Sequence, residues 1–90
     1  MEPKGPRHCR MELIARINEK AQSVEMLVAV KWLYEHPLTL QERFRIGFQN
    51  KTIDLEFSKK EITFHKDYQN QIDMRISEAL ETLSLTVNGS

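Results

Sequence analysis

The stretch FRIGFQNKTIDLEF, residues 44–57, constrains the chain more than any other. Phe44, Ile46 and Phe48 alternate with polar or small residues, and Ile53, Leu55 and Phe57 do the same after a break. A period of two is that of a half-buried strand. A two-residue turn at Asn50-Lys51 would set Phe48 opposite Ile53, Ile46 opposite Leu55 and Phe44 opposite Phe57, with Arg45 across from Glu56. A helix competes over residues 39–48. Thr39-x-x-Glu42 has the form of a capping box, and Leu40, Phe44 and Phe48 are spaced four apart. Gly47 would cost such a helix about 1 kcal/mol relative to alanine, and the cross-strand matches favour the hairpin.

The flanks read as helices. Over residues 10–35, Leu13, Ile14, Ile17, Ala21, Val24, Leu27 and Val28 recur at three- and four-residue steps, until Pro37 stops the pattern. The end of this expected helix, VEMLVAVKWLYEH, is apolar around nearly its whole circumference. After the hairpin, Ser58-Lys59-Lys60-Glu61 reads as a turn and residues 61–65 as a third strand, with Ile62 and Phe64 facing inward. A second helix is expected over residues 67–85, with Tyr68, Ile72, Ile76, Ala79, Leu80 and Leu83 on its buried stripe. The fold class is therefore α+β: a long N-terminal helix, a three-stranded antiparallel meander and a C-terminal helix, both helices on one sheet face. Residues 1–9, with Pro3, Gly5 and Pro6, read as a mobile tail before a single domain at 10–87.

Thirteen basic residues balance thirteen acidic ones, whereas domains that bind nucleic acid non-specifically carry a basic excess. The single Cys9 excludes an internal disulfide and points to a reducing, cytoplasmic setting. No apolar run approaches the roughly 20 residues that span a bilayer, and the first ten residues do not have the form of a secretory signal.

Little in the pattern carries chemistry. A tight hairpin between the expected second and third strands would put Asp54 opposite His65 with Thr63 one step along, but a flat solvated sheet face supplies neither an oxyanion hole nor a dry pocket. His8 and Cys9 adjoin on the expected tail, and His36 follows the first apolar segment. Neither builds a metal site. No catalytic residue, metal or cofactor is expected, and the chain reads as a non-enzyme. The apolar excess at Met26, Val30, Trp32, Leu33 and Tyr34 is the candidate partner-binding surface, because tryptophan and tyrosine are enriched at the energetic centres of interfaces. The expectation is a small regulator or inhibitor of a protein partner, oligomeric as a homodimer. The alternative is nucleic-acid binding through Arg43, Arg45, Lys59, Lys60 and Lys66. Helix–meander–helix is also the element order of double-stranded RNA-binding domains, in which a basic cluster opens the last helix. Here the expected last helix begins KDYQNQID, so the resemblance stops at element order. With residues 39–48 helical instead, the order would resemble a winged helix with the lysine pair as wing tip.

Overall fold

The computed structural model describes residues 6–88, with side chains for 7–85. Six elements follow one another: α1 (Pro6–Ser23), β1 (Ala29–Glu35), β2 (Glu42–Phe48), β3 (Lys51–Phe57), α2 (Lys59–Thr63) and α3 (Gln69–Asn88). The strands form one antiparallel sheet in the order β1-β2-β3. The class is the expected one: α+β, an N-terminal helix, a three-stranded meander and a C-terminal helix, with the helices against the sheet.

The core lies between the helices and one face of the sheet. Cys9, Leu13, Ile17 and Ala21 form a four-residue-spaced row on α1, and Ile72, Ile76, Ala79, Leu80 and Leu83 form the stripe of α3. They close over Phe44, Ile46 and Phe57, each fully buried, with the Phe44 and Phe57 rings edge-to-face at 6.0 Å. Ion pairs tie the helix layer together, Lys20 on α1 standing 3.7 Å from Asp73 on α3. Arg16 on α1 grips Asp73 on α3 through two hydrogen bonds of 2.6 and 2.8 Å. Arg75 on α3 donates to the backbone carbonyl of Glu56, lies 4.4 Å over the Phe57 ring and reaches Glu61 on α2 at 3.5 Å.

Four local expectations are corrected. The first helix ends at Ser23 rather than near residue 35, and 29–35 is strand β1. Its stop is a backbone motif: Met26 N–H reaches the Ala21 carbonyl at 2.8 Å and Glu25 N–H the Gln22 carbonyl at 3.0 Å, with Glu25 in the left-handed region at φ 58°. This is a Schellman ending, usually marked by glycine, and glutamate gave no such signal. The all-round apolarity of 26–34 belongs to a connection, 26–28, and to a strand whose side chains alternate between faces, and not to a helix in contact on every side.

Residues 61–65 are not a third strand. Ser58 accepts from the Glu61 N–H at 3.1 Å, while the Glu61 carboxylate accepts from the Ser58 N–H at 2.9 Å, so a capping box opens α2. Ile62 is buried from that helix, but Phe64 is 54% exposed rather than inward-facing.

The β2–β3 turn is Gln49-Asn50, one residue earlier than expected, with Phe48 opposite Lys51, Ile46 opposite Ile53 and Phe44 opposite Leu55. The register moves by two residues, which changes every partner but leaves every side chain on its face. Arg45 consequently faces Asp54, and Arg43 faces Glu56. Finally, residues 6–9 of the expected tail form the start of α1, with Cys9 in the core; residues 1–5 and 89–90 of the chain lie outside the described residues.

Candidate functional site

The residues read from sequence as a partner surface are divided by β1 between two environments. Val30 and Trp32 pair with Ile46 and Phe44 and pack against the core, as does Met26 in the α1–β1 connection. Tyr34 pairs with Arg43 on the outer face and is 42% exposed. Between them the register shifts, leaving Leu33 as a half-buried bulge. These five side chains do not form one patch.

Trp32 belongs to a polar network beneath the helices. The Arg10 guanidinium lies 4.1 Å from its ring centroid, hydrogen-bonds the Glu42 carboxylate and comes within 4.0 Å of Glu35. Lys59 joins from α2, 3.4 Å from Glu35. Glu42 shares the strand face of Phe44 and Ile46 and is 1% exposed, so its charge needs that partner. The Trp32 Nε1 is buried and has no hydrogen-bond partner among the described residues. Sequence reading missed this network, although the parity of Glu42 with Phe44 and Ile46 was its visible sign.

The candidate phosphate-binding cations are mostly occupied. On the outer face Arg45 holds Asp54 through hydrogen bonds of 2.8 and 3.2 Å, and Arg43 holds Glu56 at 2.9 Å. The hydrogen bond from Arg45 keeps the Asp54 carboxyl below the usual carboxylate range, and donating to Asp54 and Glu56 raises the pKa of the Arg45 and Arg43 guanidinium groups. Lys59 is paired with Glu35, while Lys60 and Lys66 are exposed. The five do not converge on one surface.

His65 does not meet Asp54, because residues 61–65 form no strand beside β3. Its Nε2 is instead 3.4 Å from the Glu12 carboxylate on α1, which His8 also approaches at 3.5 Å. Among the described residues no group of three histidine, cysteine or acidic side chains is placed to hold a metal ion.

The β1–β2 connection is more ordered than its sequence suggests. His36 Nδ1 accepts the N–H groups of Leu38 and Thr39 at 3.1 and 3.2 Å, the His36 N–H reaches the Gln41 carbonyl at 2.7 Å, and the Leu40 N–H returns to the His36 carbonyl at 2.9 Å. Leu40 takes a left-handed φ of 61°. The result is a fixed loop that holds Leu38 86% and Leu40 51% exposed, at the same end of the sheet as Tyr34. His36-Pro37 was its signal, since an acceptor side chain before proline opens a turn as an asparagine or aspartate does.

No helix among the described residues is long and apolar enough to cross a membrane. Comparisons with protein-family models, with curated proteins and with solved structures each find no match. The chain is therefore assigned to no family, and its function must be read from its own geometry.

Proposed function

We propose that the chain is a small, non-catalytic protein-interaction module, a regulator or inhibitor that engages a folded protein partner with the β1–β2 end of its sheet. The observation that carries the reading is the His36-fixed loop, which holds two exposed leucines in one conformation. A loop already ordered in the free molecule loses less entropy on binding. The pairing of Arg43, Arg45 and Lys59 with carboxylates also favours a protein over a phosphate backbone. Of the five residues first singled out, Tyr34 and the Leu33 bulge lie nearest this surface, Trp32 packs on the core side of the same strand, and Met26 and Val30 lie toward its other end. A cytoplasmic setting fits the free, buried Cys9.

The test is a photo-crosslinker at position 38, in cells of the source organism. We expect one dominant adduct, lost when Leu40→Ser is added beside the probe while the circular dichroism stays unchanged. A position-38 probe that yields no specific adduct would discard the reading.

Nucleic-acid binding is the second reading, favoured by one observation: Lys59 and Lys60 stand in the first turn of a helix directly after the meander. Gel retention of duplex RNA or DNA that weakens steeply with salt and is lost in Lys59→Glu/Lys60→Glu would support it. Absence of retention at low salt would remove it.

A further inference from the structure

At the other end of β1, the α1 ending leaves open a groove with an apolar floor and a polar rim of lysine, glutamate and serines. A cleft of about 450 Å³ runs between the last turns of α1 and the second half of α3, with Val24, Met26, Leu80 and Leu85 among its lining residues. Val24 is 56% exposed and Leu85 61%, and Leu27, next to Met26 in the chain, is 93% exposed. The left-handed Glu25 produces this arrangement: it turns the chain so that Met26 goes in while Val24 and Leu27 stay out. A left-handed glutamate is a strained conformation, spent on displaying two large apolar side chains.

We propose that this groove binds a second copy of the chain, each copy laying Leu27 into the other's groove. A two-fold contact uses one patch against itself, so that patch must contain both projection and cavity. Leu27 and the groove meet that condition side by side. The rim is likewise self-complementary. Lys20 on α1 and Glu81 on α3 line opposite walls; Lys20 stands 3.7 Å from Asp73 with its side chain 38% exposed, and Glu81 is in no ion pair among the described residues. Across a two-fold axis, Glu81 of one copy meets Lys20 of the second. Thirteen positive and thirteen negative charges leave no net repulsion between copies. A chain of 90 residues has a small core and gains from added buried area.

This inference does not rest on the partner surface at Leu38, which lies at the opposite end of β1. Sedimentation velocity over a concentration series tests it, with Leu27→Asp, Glu81→Lys, Leu27→Met and Leu38→Asp beside the wild type. We expect a wild-type dimer. Leu27→Asp should weaken it about 10- to 100-fold, the loss expected for a leucine no longer buried, without changing the circular dichroism spectrum. Glu81→Lys should weaken it less. Leu27→Met and Leu38→Asp should dimerise as the wild type does, and Leu38→Asp should lose only the photo-crosslinked partner's binding. A wild-type monomer at every concentration overturns the proposal. So does a Leu27→Asp dimer as tight as the wild type's, or a groove that captures a different protein without self-association.

Discussion

Arg10 and Glu42 meet beneath the sheet, a cation from α1 and an acid on the core face of β2, with the Trp32 ring against the guanidinium. Removing one partner differs from removing both. Arg10→Ala leaves a carboxylate buried without its cation and should cost about 3 kcal/mol. Arg10→Met with Glu42→Leu should recover most of that loss. Urea denaturation of the two singles and the double measures the coupling, and additive losses would mean the pair is not a unit.

Ile46 is fully buried opposite Ile53, whereas Phe64 is more than half exposed after α2. Ile46→Ala should cost about 2–5 kcal/mol and Phe64→Ala under 1. A reversed order in thermal melts would restore the third strand in place of α2.

Glycine and left-handed backbone are out of step in this chain. Glu25 and Gln49 hold φ values of 58° and 55° without being glycine. Gly47 sits inside β2, where an added Cβ would meet its nearest neighbours at 3.8 Å, an ordinary contact. Gln49→Gly, Glu25→Gly and Gly47→Ala should each raise stability, by about 0.5–1 kcal/mol. Equilibrium denaturation of the three variants tests this, and a loss in Gly47→Ala would mean that the strand needs its gap.

Acid should unfold the protein from a definite side. The hydrogen bonds from Arg16 to Asp73 and from Arg45 to Asp54 hold both carboxyls below their ordinary value. A carboxyl lowered in the folded state adds stability above its unfolded pKa, about 3.9, and loses it as pH falls through the folded value. Stability should therefore be level from pH 7 to about 5 and decline below about 4. Asp73→Asn should flatten that decline and lower neutral-pH stability by about 1 kcal/mol or less. An Asp73→Asn profile parallel to the wild type's would remove the Arg16 contact from the explanation.

The elements legible in the sequence were those whose periodicity was long and unmixed. The α3 stripe from Ile72 to Leu83 and the alternation of Phe44, Ile46 and Phe57 both appear in the core. The alternation survived a turn misplaced at Asn50-Lys51, because a two-residue slip preserves facing. What was lost turned on caps and stops. Ser58-x-x-Glu61 is the same capping-box pattern that Thr39-x-x-Glu42 displays, but in the structure only the serine heads a helix. Glu25 ends α1 without a glycine to announce it, so the apolar steps of α1 run on in the sequence into a strand. The five residues grouped on the expected helix are spread instead along β1 and its approach. The β1–β2 loop depends on one histidine nitrogen, which no periodicity reports.

The bulge at Leu33 and the hand of Arg75 on the Glu56 carbonyl sit on the two outer strands of the sheet. A free strand edge is a template on which a stranger's backbone can crystallise, and repetition of that event makes a fibril. One border here is kinked and carries Lys31, and the other has a backbone acceptor already taken. A molecule that exposes several leucines thus offers its neighbours side chains rather than open backbone.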